Sequence, residues 1–207
     1  METISEKLAQ TVAEKNRIVS EVNAQSEKIT AIKSDIYDIL ESDEIPKSFG
    51  AKLVDGSITE ITAEDLDGIT KISDYAFYRS VVTSIEIPDS VTIIAQYALG
   101  SCFSVTNVKL STNLTTMGYG CLQGCSKLTN LTIPASVTSC SNISLRIGSS
   151  TNKATIRFLG TTPPTIATDT FDNYTLNQII VPKGYGEVYK SATNWSNFAD
   201  YIVEASE

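Results

Sequence analysis

Apolar residues recur along this chain at two different periods. Before residue 42 they recur about every three to four residues, with no glycine or proline among them, which is typical of a long helix. After residue 69 they alternate with polar residues in short runs such as SIEIP, NVKLS and NLTIP, which predicts short strands with one buried face. The sequence therefore predicts a helical segment followed by a strand-rich domain.

The helical segment, residues 1–45, is expected to form a coiled coil. Its apolar positions fit a heptad repeat, and Pro46 ends the helix because the residue before a proline is driven out of the helical conformation. Isoleucine at both core positions of the later heptads favours a parallel trimer; a dimer and a helix folded back on its own domain are the alternatives. The predicted trimer interface lies within residues 4–39 and consists of Ile4, Leu8, Ile18, Val22, Gln25, Ile29, Ile32, Ile36 and Ile39.

The strand-rich domain contains an internal repeat of about 23 residues, carried by residues 69–90, 91–113 and 114–136. Equivalent apolar positions are Ile72, Ile94 and Met117 in one column, and Ile85, Val108 and Leu131 in another. One repeat cannot bury its apolar face alone, whereas stacked repeats form a continuous core and a parallel sheet. We therefore expect a right-handed solenoid.

The repeat resembles a known family. The pattern I-x-x-I-x-x-x-A-F…L-x-x-I-x-I-P-x-S, carried by residues 69–90 and 114–136, is similar to the BspA-like leucine-rich repeat, which occurs in bacterial cell-surface proteins and phage tail proteins. The run QIIVPKGYGEVYKSATNW, within 178–204, is similar to the final strand and capping helix of these proteins. The resemblance implies a recognition scaffold rather than a shared active site.

Together these features predict an α+β fold: an N-terminal coiled-coil helix, then a leucine-rich-repeat solenoid with short parallel strands and a C-terminal cap. The expected divisions are 1–45 for the coiled coil, 46–68 for a linker and N-terminal cap, 69–158 for the repeats and 159–207 for the C-terminal cap. Residues 141–153 lack the Ala-Phe pair and are expected to form a looser polar loop.

Charge and composition narrow the possible functions. The net charge of −8 lies wholly in residues 1–68, and there is no lysine or arginine cluster, so nucleic-acid binding is not expected. No apolar run reaches the roughly 18 residues of a membrane span, and the amino terminus does not resemble an export signal. Membrane insertion is therefore not expected.

The residue types offer little for catalysis. The chain has no histidine, which excludes Ser-His-Asp and Cys-His catalysis and histidine-ligated metals. The four cysteines fill repeat positions and are expected to be buried thiols, with a disulfide or a zinc site as alternatives. We expect no enzyme, no cofactor and no metal.

Outward-facing residues are the better functional candidates. Tyrosines occupy equivalent or neighbouring loop positions of successive repeats, and polar residues form rows on the outer strand faces. Aromatic rows beside amide rows suit a carbohydrate; the alternative is that the tyrosines only pack between loops. The candidate ligand-binding residues are Tyr75, Tyr97, Tyr119, Asn107, Lys109, Asn130 and Arg157.

These features together predict a trimeric phage fibre, tail or spike protein located in the virion. Its solenoid heads would bind a host-surface carbohydrate or receptor, and its other partners would be further copies of itself and virion proteins. A bacterial cell-surface adhesin or protein-interaction module is the alternative, followed by a virion decoration protein without a ligand.

Overall fold

The structure, a computed structural model, describes residues 15, 17, 18, 20, 21 and 58–206. The chain divides into two units, Met1–Leu40 and Glu41–Glu207. In the first unit the five described residues are helical and exposed, and Arg17 Nη1 lies 2.7 Å from Glu21 Oε1. In the second unit, the described residues form a β-solenoid of about six turns.

Short strands make up the solenoid because each turn alternates apolar and polar residues for only a few positions. The strands are β1 (Glu60–Ile61), β2 (Lys71–Ile72), β3 (Ser84–Glu86), β4 (Ile93–Ile94), β5 (Asn107–Lys109), β6 (Thr116–Met117), β7 (Asn130–Ile133), β8 (Ser139–Cys140), β9 (Ala154–Phe158), β10 (Thr165–Ile166), β11 (Leu176–Val181) and β12 (Ile202–Glu204). Helix α1 covers Gly186–Ser191, and a 3-10 helix covers Trp195–Tyr201.

All strand pairs are parallel and belong to three sheets. One sheet has the order β10-β8-β6-β4-β2, so it contains one strand from each of five successive turns. The other strands form two separate sheets, β1-β3-β5 and β12-β11-β9-β7. Register follows the repeat, for example Ile72 opposite Ile94 and Ile85 opposite Val108.

The core lies between the sheets and follows the solenoid from Ile61 to Ile202. The inward residue of each short strand is buried, as the alternation of apolar and polar residues predicts. At the carboxyl end Trp195 is fully buried and donates from Nε1 to the carbonyl oxygen of Pro164 at 2.9 Å. Its indole packs against the rings of Phe158 and Tyr189, which closes the end of the core.

Residues 141–153 differ from the expected polar loop in their first half. Ile143, Leu145 and Ile147 are buried, and the N–H groups of Ile143 and Leu145 donate to the carbonyls of Asp169 and Thr170 in the next turn. Ser144 replaces the alanine of earlier repeats, and its small side chain fits the same buried position. The solenoid therefore continues through this segment.

The predicted fold class is wrong in its helical part. Residues 58–206 are a β-solenoid with only two short helices, and the described chain contains no coiled-coil helix. Ile18 is the one predicted interface residue that is described, and it is 48% exposed. The others, Ile4, Leu8, Val22, Gln25, Ile29, Ile32, Ile36 and Ile39, lie outside the described residues. An apolar heptad pattern stabilises a helix only when a partner buries it, and no described residue of this unit is buried.

Candidate binding surfaces

A row of tyrosines lies in the turns that follow β2, β4 and β6. Tyr75 and Tyr97 occupy the same place in successive turns, and both have left-handed backbones, with φ of 61° and 51°. This conformation costs a non-glycine residue about 1–2 kcal/mol. It is held by hydrogen bonds to the next turn, from the Tyr75 N–H to the Gln96 carbonyl and from the Tyr97 N–H to the Tyr119 carbonyl.

The tyrosine rings form a continuous surface, which we call the tyrosine ridge (Tyr75, Tyr78, Tyr97 and Tyr119). The Tyr75 and Tyr97 rings stack with centroids 5.4 Å apart, and Tyr119 meets Tyr97 edge to face at 5.4 Å. Gly120 takes the left-handed position in the third turn, where an added Cβ would lie 2.6 Å from the Tyr97 ring. The missing side chain therefore makes room for Tyr97.

Polar groups surround the ridge. Gln96 Nε2 donates to the Tyr75 hydroxyl at 3.1 Å, and the Arg79 guanidinium lies 5.3 Å from the centre of the Tyr78 ring. Burial, together with the hydrogen-bonded Tyr119 hydroxyl, raises the pKa of Tyr97. Tyr75, Tyr78 and Tyr119 remain 48%, 37% and 43% exposed, so the solenoid leaves much of the ridge uncovered.

The outer faces of the strands carry the predicted polar rows. Asn107 lies opposite Ser84, and its Nδ2 donates to Ser84 Oγ at 3.2 Å. In the same pair of strands, Lys109 Nζ forms a salt bridge with Glu86, which raises the pKa of the lysine. Arg157 is exposed on β9 opposite Thr132, a place separate from Lys109.

The polar rows are interrupted between β5 and β7. The repeat alignment puts Asn107 and Asn130 in one row, yet β5 is the edge of one sheet and β7 the edge of another. The Thr106 N–H donates to the Thr83 carbonyl and the Thr155 N–H to the Thr129 carbonyl, while no bond joins Thr129 to Thr106 among the described residues. Aligning the repeats does not predict this break, because the alignment compares side-chain types and the break is a difference in backbone pairing.

A cleft of about 480 Å³ opens at this break. Its polar walls consist of Asn107, Lys109, Thr112, Asn130 and Thr132. Its apolar lining consists of Val108, Leu110, Pro134 and Leu159. The structure thus brings Asn107, Lys109 and Asn130 together in the cleft and the three predicted tyrosines together in the ridge, while Arg157 belongs to neither. No pattern in the sequence marks Pro134 or Leu159 as part of a site.

The family model described as the BspA type leucine-rich repeat region matches residues 70–200, in six copies. The chain belongs to this family. The match confirms the sequence resemblance, and leucine-rich repeats generally mediate protein interactions.

Two solved structures are similar to this BspA-type chain. A leucine rich cell surface protein from Faecalibacterium prausnitzii A2-165 is 20% identical with a TM-score of 0.52; the similarity covers 72% of this chain and 36% of that protein. A leucine-rich repeat protein from Bacteroides capillosus ATCC 29799 is 22% identical with a TM-score of 0.40, covering 60% of this chain and 77% of that one. No curated protein matches the chain in sequence. The first similarity supports the fold, and the chain spans about a third of that protein's length.

The four cysteines of the BspA-type repeats are buried and free. Cys102 and Cys125 are equivalent, and their thiols donate to the carbonyls of Phe77 and Leu99 in the preceding turns. Burial raises the pKa of all four thiols, to about 12 for Cys140. Across the described residues, no group of three or more acidic or cysteine side chains could hold a metal ion.

In the part of the chain that the structure describes, no helix is long and apolar enough to cross a membrane.

Proposed function

We propose that this chain is a non-enzymatic adhesion module of a bacterial cell surface, which binds a partner protein through the tyrosine ridge. The observation that carries the proposal is the ridge itself, four packed tyrosines that the solenoid leaves partly exposed. Tyrosine and arginine are enriched among the residues that contribute most to protein interfaces. Arg79 beside Tyr78 gives the ridge both residue types.

Ring geometry favours a protein over a carbohydrate at the ridge. A sugar ring stacks on an open aromatic face, but Tyr75 and Tyr97 turn one face towards each other. The ring edges and hydroxyl groups of the ridge are the parts that side chains of a partner protein can contact. Phe103, 57% exposed, adds apolar area in the turn that also carries Tyr97.

The trimeric phage fibre has less support than the surface adhesin. A phage fibre of this kind needs the predicted coiled coil as its stalk, and the described fold contains no coiled coil. The solved structure with the higher TM-score is that of a cell surface protein, which supports a surface adhesin.

The test is adhesion of beads coated with the full chain to epithelial cells. We expect the coated beads to adhere, and a Tyr75→Ser/Tyr119→Ser variant to lose most of the adhesion because both side chains are exposed ridge members. Protease treatment of the cells should abolish adhesion, whereas removal of their glycans should leave it.

The matched control is Tyr174→Ser, which removes a tyrosine that is 82% exposed and lies outside the ridge. This variant should adhere like the unaltered chain. Adhesion that the ridge variant leaves intact, or that glycan removal abolishes, would refute a protein-binding ridge.

A further inference from the structure

The cleft lies where β5 and β7, the edge strands of two sheets, form no strand pair with each other. An inner strand of a parallel sheet forms hydrogen bonds on both sides. Among the described strands, β5 pairs with β3 alone and β7 pairs with β9 alone. The sheet is therefore interrupted where β5 and β7 face each other, and the cleft lies at this interruption.

Side chains of the cleft provide hydrogen-bond acceptors. The Asn107 amide uses Nδ2 to reach Ser84, and the Asn130 amide uses Nδ2 to reach Thr129 Oγ1 at 3.2 Å. Among the described residues, neither amide oxygen accepts a hydrogen bond. A ligand that fits must donate hydrogen bonds, as hydroxyl groups do.

Charge in the cleft favours a neutral ligand. Lys109 is the one charged residue that lines it among the described residues, and Glu86 pairs with its ammonium group. An anionic ligand would have to compete with this carboxylate. A neutral hydroxyl ligand can instead accept from the lysine and donate to the glutamate without breaking the pair.

The dimensions exclude an added strand between β5 and β7, whereas the cleft, which the outward side chains of the two strands line, has the volume of a small-ligand site. Some residues of β5 and β7 have Cα atoms within 8 Å of each other, whereas a strand inserted between them needs about 9.6 Å, or two strand spacings. A cleft of 480 Å³ lies within the range of roughly 300–1,000 Å³ that is typical of small-ligand sites. Pro134 and Leu159 offer an apolar wall for the C–H face of a ring.

We propose that this cleft binds one residue of a neutral saccharide, with the Asn107 and Asn130 amides bonding its hydroxyl groups and Pro134 and Leu159 packing against its ring. This site lies outside the tyrosine ridge and goes beyond the proposed function, because neither its ligand nor its residues are shared with the ridge.

The experiment is a titration of the isotope-labelled full chain, followed by NMR, with cellotetraose, maltotetraose and chitotetraose. Tetragalacturonate serves as the anionic counterpart. We expect at least one neutral tetrasaccharide to shift the side-chain amide signals of Asn107 and Asn130 and the backbone signals of β5 and β7. An Asn107→Ala/Asn130→Ala variant should bind it about tenfold more weakly or worse, because two hydrogen-bonding amides are lost.

The matched control is Asn177→Ala. Asn177 is an exposed strand residue whose Nδ2 donates across to Thr155 Oγ1 at 3.1 Å, as Asn107 does to Ser84, but it lies outside the cleft. The Asn177→Ala variant should bind the neutral tetrasaccharide with the affinity of the unaltered chain. The proposal is overturned if no neutral tetrasaccharide shifts the β5 and β7 signals, if only tetragalacturonate does, or if the control loses as much affinity as the double variant.

The ridge variant Tyr75→Ser/Tyr119→Ser should bind the saccharide like the unaltered chain, because neither residue lines the cleft. A failure of cell adhesion and a failure of saccharide binding are therefore separate results. If the double variant does not fold, the test is whether a neutral tetrasaccharide shifts the signals of Asn107, Asn130, β5 and β7 in the unaltered chain.

Discussion

One position of the repeat is buried in four successive turns and holds a small side chain in each. Ala98, Cys121, Ser144 and Thr170 occupy it in successive turns, and all are fully buried. The Thr170 hydroxyl is well bonded, accepting from the Ala167 N–H at 2.9 Å and donating to the Ser141 carbonyl at 3.2 Å. Among the described residues, the Ser144 hydroxyl has no hydrogen-bond partner. A buried polar group without a partner is a net cost to the fold.

We predict that Ser144→Ala raises the free energy of unfolding by about 1 kcal/mol, because it removes an unpaired buried hydroxyl and leaves a residue that the same position already holds in other turns. Urea denaturation measures the change. Thr170→Ala is the control at the equivalent position and should lower stability by about 1–3 kcal/mol, because its hydroxyl is bonded. A loss of stability in Ser144→Ala would show that the Ser144 hydroxyl does form a hydrogen bond in the folded protein.

Helix α1 begins without a side-chain cap of its own. No side chain of its first residues caps it; Glu204, on β12, accepts from the N–H groups of Gly184 at 2.9 Å and Gly186 at 2.8 Å. These two backbone bonds lower the pKa of the Glu204 carboxyl below its ordinary value of 4.5. The last strand is therefore tied to the helix by one ionised side chain.

We predict that Glu204→Gln lowers the thermal midpoint at pH 7, because the charged acceptor at the helix start is lost. A group whose pKa is lower in the folded state stabilises the fold above its unfolded pKa and loses that contribution as the pH falls. The difference between the two proteins should thus be largest above about pH 5 and shrink as the pH falls below 4.5 towards the folded pKa. A difference that stays constant across this range would contradict the role of the charge.

Strands were predictable from the sequence, but their pairing was not. The alternation in SIEIP and NVKLS fixes which residues face inward, because side chains of a strand alternate between its faces. The break between β5 and β7 has no such signal, since Asn107 and Asn130 are equivalent residues on strands of similar composition. Whether two strands exchange hydrogen bonds depends on fractions of an ångström in backbone position, which a residue pattern does not encode.

At the scale of the whole molecule, the solenoid was correctly predicted from the sequence, whereas the coiled-coil helix predicted before it was wrong. Repeats that each need a neighbour to bury their apolar residues leave few alternatives to stacking. A heptad pattern over residues 4–39 is weaker information, because its burial depends on partner chains and not on the chain itself. For the binding surfaces, the residue types were predictable, but their division into a ridge and a cleft required the structure.

The continuous core gives a prediction for thiol chemistry. All four cysteines are buried, and burial raises the pKa of each, so the reactive thiolate is scarce near neutral pH. We predict that Ellman's reagent labels none of them in the folded protein at pH 8 and all four in guanidinium chloride. The labelling rate should follow unfolding of the whole solenoid.

A Ser150→Cys variant provides the positive control, because residue 150 is exposed. It should react at once with one equivalent of reagent. Rapid labelling of any native cysteine in the unaltered folded chain would indicate that a turn opens on its own.

The interrupted sheet also bears on how the molecule responds to force. On one side of the break, the strand pairs β2–β4 and β3–β5 hold two turns together, and on the other side β6–β8 and β7–β9 do the same. Across the break, β4–β6 is the one strand pair among the described residues. Tension applied along the solenoid axis is shared there by fewer hydrogen bonds than in the adjoining turns. A protein tethered at one end and pulled at the other should lengthen first between the turn that carries β4 and β5 and the turn that carries β6 and β7, while the segments on either side keep their shape. The same gap that admits a ligand would then act as an extensible joint.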